Sequence, residues 1–370
     1  MSIIIFIIVL VVLILVHEFG HFISAKKSGI RVDEFGIGFP PRIFGKKIGE
    51  TTYSLNWIPF GGFVKIFGEN PDEESISGPD SKRSFVNKKR RIQALVIVAG
   101  VVFNMLLAII LFSAGFLIGM PVSDNDPLIV DKGYEITNSA LTVISVLNES
   151  PAMEGGLKAG DELLGVATRS EAVEVLDADT VSEFIASHGG EEIAFVYERN
   201  SEVLLAEVVP ESGIVDDDIE RAAIGTLLGT VGTLKLPIHK AIIEGVVLTG
   251  EMTVLIAVGL GGFIVSAFTL SADLSQVAGP VGIVGLVGDA AALGLIALLN
   301  FTAIISIHLA IINLLPFPAL DGGRLVVIAI EAIKKSAIKP KIVNTVNGIG
   351  FVLLILLMLV VTYSDIIKLF

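Results

Sequence analysis

The sequence predicts a polytopic α-helical membrane protein: a four-helix transmembrane core, a membrane-associated β-sheet and one extracytoplasmic α/β domain. Three observations carry this prediction. Of 370 residues, 53% are hydrophobic and 18% charged, with a mean hydropathy of +0.80, well beyond the roughly 45–50% apolar, ~25% charged mixture of a soluble domain. Four predominantly apolar stretches have about the 20-residue length that crosses a bilayer. The charge is also uneven, with 13 basic and 8 acidic residues over 26–91 but 7 basic and 23 acidic over 120–240, so the two polar regions face different surroundings.

The first span covers residues 1–25. Ile3 to Val16 is an unbroken apolar run that flows into His17-Glu18-Phe19-Gly20-His21. A signal peptide would start basic and end at a small-residue cleavage site; neither pattern is found, so a retained helix is expected.

Residues 26–91 read as a cytoplasmic or membrane-dipping β region. Phe35 to Phe39, Tyr53 to Trp57 and Gly61 to Phe67 look like strands, punctuated by Pro40, Pro41, Pro59 and glycines. So many apolar and aromatic residues beside a membrane suggest a sheet that enters lipid or a protein cavity, or a hairpin resting on the membrane surface.

The second span is residues 92–120. Over 121–236 an acidic extracytoplasmic region follows, in which 142–210 reads as a small α/β domain: a strand, then Ser150-Pro151 opening a helix, then Gly160-Asp161 turning into another strand. That order resembles bacterial PDZ domains.

Residues 237–292 are predicted to be interfacial or re-entrant. They are apolar enough to span, but Glu244 and Glu251 lie seven residues apart on one helical face, as in an amphipathic helix with its acidic side in water. The third span, 293–318, is broken by Pro316 and Pro318 and leads into Leu320-Asp321-Gly322-Gly323. A cytoplasmic loop, 319–341, and a fourth span, 342–363, complete the prediction. Lys26, Lys27, the run Lys88 to Arg91, and Arg324, Lys334, Lys335, Lys339 and Lys341 place their loops in the cytoplasm by the positive-inside tendency. The N-terminus and acidic region then lie outside, in a multi-pass protein of the inner (cytoplasmic) membrane.

With no cysteine, disulfides and thiolate metal sites are excluded, so any metal must use His, Asp or Glu. The net charge of −13 argues against nucleic-acid binding. His17-Glu18-Phe19-Gly20-His21 matches H-E-x-x-H: on a helix both imidazoles share one face and can hold Zn²⁺, with Glu18 placed to act on water. Ionisable groups inside a transmembrane helix are costly and by default mark a functional site. Asp321 is the best candidate for a third ligand, because the prolines free helix backbone and two glycines allow a tight turn that presents the carboxylate.

Together, the H-E-F-G-H helix, Gly61-Gly62-Phe63-Val64-Lys65, the PDZ-like insert, Gly279-Pro280-Val281-Gly282-Ile283, Asn313-Leu-Leu-Pro-Phe-Pro-Ala-Leu-Asp-Gly-Gly323 and the terminal Thr362 to Phe370 resemble the site-2 protease family. The likeness is closest to bacterial regulators of intramembrane proteolysis that cut anti-sigma proteins. It implies zinc held by His17, His21 and Asp321, Glu18 as catalytic base, and substrate contacts from Asn313 and from Gly61, Gly62, Phe63 and Val64, whose strands would pair with the substrate. His308 stands where relatives usually carry Asn, five residues before Asn313, which leaves its relation to substrate and metal open. The implied partners are a single-span membrane protein, such as an anti-sigma factor or signal-peptide remnant, and the lipid bilayer. A non-catalytic PDZ-bearing scaffold and a metal-ion transporter are the alternatives. The first is disfavoured by the intact Glu18, the second by the scarcity of other intramembrane carboxylates.

Overall fold

In a computed structural model of the chain, which describes residues 1–70, 72–199, 201–214, 221–269 and 277–367, the first apolar run is one helix, α1 (Ser2–Lys27). Strands β1 (Val32–Ile48) and β2 (Thr51–Ile66), the short helix α2 (Glu73–Ser77) and the long helix α3 (Arg90–Ile118) follow. Next come β3 (Met120–Ser123), α4 (Pro127–Val130), β4 (Thr137–Val146), α5 (Pro151–Glu154), β5 (Glu162–Ala167), α6 (Ala178–Ser187), β6 (Ile193–Arg199), β7 (Glu202–Val208) and β8 (Thr226–Leu234). The chain then runs through α7 (Ile238–Phe268), α8 (Pro280–Ala292), α9 (Leu295–Leu314), α10 (Asp321–Lys334) and α11 (Pro340–Ile367). Residues 368–370 of the terminal motif lie outside the described residues. Two units result, one built from residues 1–115 and 238–370, the other from residues 116–237.

In the first unit, α1 is apolar nearly all round yet buries only Leu13, His17, Gly20, His21 and Ala25. That is a single helical stripe, which leaves the remaining apolar surface for lipid. Helix α3 lies against this stripe in the opposite sense, Val96 beside His21 and Asn104 beside His17. Contact is close because the crossing is made of glycines: a Cβ on Gly20 would strike the Ala99 carbonyl, and one on Gly100 would lie 2.5 Å from His21 Nε2. Helix α9 joins through Ser306, whose hydroxyl donates to Asn104 O at 2.8 Å. At the far end of the bundle, Asp365 of α11 accepts hydrogen bonds from Gly279 N (3.0 Å) and Gly282 N (2.8 Å), capping α8. The Gly-Pro-Val-Gly motif and the terminal motif thus meet in space.

Strands β1 and β2 both bend, so the pair makes a sheet four segments wide. Phe35 pairs with both Tyr53 and Val64, while Phe44 pairs with Leu55 and Ile48 with Thr51. Three short strands were expected here; the segment 42–48 is the one the pattern did not reveal, because Pro40, Pro41 and the lysines masked it. Ala25, Val32, Val64, Ile66, Val96 and Ile97 form the core between sheet and helices. The tip is apolar and bare, with Trp57 67% exposed.

Several expected boundaries move. Five described helices are long and apolar enough to cross a membrane, α1, α3, α7, α9 and α11, where four were expected. Helix α7 is continuous, and its two carboxylates do not share a wet face: Glu244 is buried and Glu251 exposed. The third span ends at Leu314. The predicted loop 319–341 instead contains α10, which Asp321 opens. Gly322 and Gly323 therefore serve close packing more than a turn, since a Cβ on either would strike carbonyls of Leu314, Leu315 or Phe317.

The second unit is an antiparallel six-stranded sheet in the order β3-β8-β4-β5-β6-β7. Its core gathers Val143, Ile193, Phe195 and Val208 from the sheet with Val181 and Ile185, one turn apart on α6. The expected helix start is found: Ser150 caps α5 and Pro151 fills its first turn. Gly160-Asp161 precedes β5, and Asp161, fully buried, accepts from Lys158 N (2.8 Å) and from Arg199 Nε and Nη2 (2.6 and 2.7 Å).

Candidate active site

The site begins with helical periodicity. On α1, His17 and His21 are one turn apart on the buried stripe, with their Nε2 atoms 3.1 Å from each other. The chain brings Asp321 to them by ending α9 at Leu314 and turning through residues 315–320. Ala319 there adopts a left-handed backbone (φ 74°), a conformation that costs a non-glycine residue energy; its N–H donates to Asn347 Oδ1 of α11. Asp321 Oδ2 then lies 3.1 Å from His17 Nε2 and 3.2 Å from His21 Nε2.

These donors suit a cation. His21 Nδ1 sits 2.8 Å from the carbonyl of Val96, and a carbonyl only accepts, so Nδ1 carries the hydrogen and the Nε2 of the neutral ring presents a lone pair. That lone pair converges with a carboxylate and a second imidazole. Lone pairs at this spacing repel unless a positive centre lies between them. Four-coordinate zinc, with N and O ligands at about 2.0–2.2 Å, sets its donors roughly 3.3–3.5 Å apart, close to the 3.1–3.2 Å found. His17, His21 and Asp321 are the one such group among the described residues.

A cavity of 360 Å³ opens on these ligands, lined also by Glu18, Phe63, Val64, Asn313 and Glu69. Glu18 therefore shares the space with all three candidate ligands. Asn313, on the last turn of α9, and Phe63 and Val64, on the segment that pairs only with 32–37 among the described residues, face it as expected. Gly61 and Gly62 do not line it. Gly61 holds a positive φ of 120° beside Phe39, and Gly62 packs near Leu15 and Ile14; they shape the strand rather than touch the cavity. His308 also lies apart: it is exposed and its Nδ1 bonds Ile304 O at 2.9 Å.

Sequence reasoning missed Glu69, Val96, Gly100 and Asn104. Arg324 of α10 holds Glu69 through its side chain (2.5 Å) and its backbone carbonyl, tying α10 to the end of the sheet. The signal that could have exposed the α3 residues is the spacing of Gly100 and Asn104, four apart in a helix otherwise almost wholly apolar.

Comparison with known proteins gives a consistent picture. The model of peptidase family M50 matches residues 5–357. A Clostridium perfringens protein, named as a candidate zinc metalloprotease, is 37% identical, the match covering 96% of this chain and 95% of that one. Zinc metalloprotease RasP of Geobacillus kaustophilus is 32% identical, covering 100% and 98%. The protein of that name from Shouchella clausii is 29% identical, covering 99% and 98%.

Proposed function

Because the chain belongs to peptidase family M50, the site-2 proteases, we propose that this zinc metalloprotease hydrolyses a peptide bond within the transmembrane segment of single-span membrane proteins, anti-sigma factors or signal-peptide remnants among them. The observation that carries the reading is the meeting of His17, His21 and Asp321 beside Glu18 in one cavity, with both histidines and Glu18 on a helix apolar enough to cross a bilayer.

We assign the ligand roles to His17, His21 and Asp321. Zinc held there supplies Lewis acidity to a substrate carbonyl and to water. Glu18 is the general base: its carboxylate takes a proton from the attacking water and returns it to the leaving amide nitrogen. Asn313 offers an amide donor and acceptor to an extended peptide. A substrate helix keeps its backbone groups bonded internally, so it must unwind before any carbonyl is accessible. The segment bearing Phe63 and Val64 offers a strand edge on which the unwound stretch can add.

The topology that fits this chemistry places the N-terminus and the 116–237 unit outside. Helices α1 and α9 then descend and α3 and α11 return. Gly245 on α7 packs on Ile109 and Ser113, and Thr253 lies beside Met105, so α7 also descends. Helix α8 sits against Ser2 at the starting end of α1, which puts the chain on the outer side again at α8. We therefore read α7 and α8 as re-entrant from the outer side. Within the 116–237 unit, residues 142–210, with the Ser150-Pro151 cap and Gly160-Asp161 turn, are read as PDZ-like.

The test is cleavage of a single-span membrane protein by the purified chain in detergent. Cutting inside the span is expected, abolished by a chelator and restored by zinc. Cutting that persists after metal removal would overturn the reading.

A further inference from the structure

We propose that Asn104 is a positioning residue of the metal centre: its side-chain amide, turned with the oxygen toward His17 Nδ1, holds the tautomer whose Nε2 lone pair faces the metal site. The proposal rests on the zinc reading above and adds to it a residue that contacts no metal.

Asn104 is completely buried on α3, and its amide lies 3.3 Å from His17 Nδ1. With Nδ2 on that side, Oδ1 is left in the interior without a hydrogen-bond partner. Buried polar groups in native proteins are nearly always paired, so an orphaned amide oxygen beside a ligand ring needs an explanation. Half a turn about the last side-chain bond exchanges the two ends, which have almost the same shape. When His17 gives its Nε2 lone pair to a metal, its Nδ1 must carry hydrogen. Only the oxygen end can then face that nitrogen, because the NH₂ end would set donor against donor.

The neighbouring residues follow the same logic. Val96, Gly100 and Asn104 are spaced by one helical turn each and form one stripe of α3. The carbonyl of Val96 takes the Nδ1 hydrogen of His21 at 2.8 Å. Gly100 leaves room for both rings, since a Cβ there would sit 2.5 Å from His21 Nε2 and 2.8 Å from His17 Cε1. Asn104 completes the set, so that each imidazole ligand has its own partner at Nδ1. A metal-ligating histidine generally gives its second ring N–H to such an acceptor, which fixes ring and tautomer. Asn104 is itself held by α9, through the Ser306 hydroxyl on its backbone carbonyl at 2.8 Å.

The test is the zinc affinity of the full chain in detergent, measured by competition with a fluorescent zinc chelator, with thermal unfolding of the metal-free protein as the control for folding. Asn104→Leu is expected to weaken zinc binding by about 10–100-fold while unfolding with the native profile, and Asn104→Asp, which can only accept, to bind within about threefold of native. Native affinity in a folded leucine variant, or equal weakening in both variants, would overturn the proposal. If the leucine variant does not fold, Asn104→Asp decides: native-like affinity supports the proposal, and a loss of about tenfold or more sinks it. A native chain that binds no zinc would defeat the metal reading and this proposal together. A native chain that binds zinc alongside an unaffected leucine variant defeats this proposal alone.

Discussion

His17 and Asp321, 304 positions apart in the chain, place Nε2 and Oδ2 3.1 Å from each other. The histidine is fixed by α1 and the α3 stripe behind it. The carboxylate is fixed by the start of α10, where Gly322 and Gly323 let the helix settle on the backbone that ends α9. One ligand pair is thus set by a single helix, and the third ligand by how closely two helix ends approach.

Glu18→Gln keeps the shape of the side chain and removes the base. It is expected to retain zinc and fold while cleavage falls by about 10²–10⁴-fold, the usual range for general acid–base catalysis. Metal content and turnover measured on the same preparation check this, and near-native turnover would contradict the role of Glu18.

Gly100→Ala places a methyl group 2.5 Å from His21 Nε2, and the loss should appear as weakened zinc binding. Gly259→Ala on α7, whose Cβ would meet nothing within 4 Å, is expected to bind zinc as the native chain does. Equal affinities for native protein and Gly100→Ala would show that α3 does not press on the ligands.

These cases mark how far the sequence is legible. H-E-x-x-H and the Asp321 segment stand out because ionisable residues are rare within apolar runs. The Ser150-Pro151 and Gly160-Asp161 signals are local, and both recur in the fold. Gly100 and Asn104, four apart in an apolar helix, are a weaker signal, because which face of such a helix meets its neighbour is decided by packing that no single helix encodes. Glu244 and Glu251 misled for the same reason: their spacing gives a common helical face, but packing in the fold buries one and leaves the other exposed. The helix at Asp321 was hidden by Gly-Gly, ordinarily a turn signal and here the condition for close contact.

In the 116–237 unit, Arg199→Ala removes two of the three bonds to the buried Asp161 carboxylate. Breaking a buried ion pair from one side costs about 3–5 kcal/mol, so a marked fall in the unfolding temperature of this unit is expected, with zinc binding unchanged. An unaltered transition would mean that the pair adds no net stability.

Outside the membrane-spanning helices, bonds from Lys26 (2.7 Å) and Arg83 (2.6 and 2.8 Å) hold the Glu50 carboxyl below its ordinary range. A carboxyl depressed by folding contributes stability that is fully present above its unfolded value, about 4.3, and is lost as pH falls through the lower folded value. Native protein should therefore unfold at a higher temperature than Glu50→Gln at pH 7, with the gap closing in acid. A gap that widens as pH falls would reverse the sign and refute the linkage.

The central claim is that His17, His21 and Asp321 together hold one zinc ion. The most direct measurement is zinc per chain, by elemental analysis after equilibration at a buffered free-zinc concentration, for native protein and Asp321→Ala. One zinc per native chain and a large loss in the variant are predicted. A full complement of zinc in Asp321→Ala would contradict the claim.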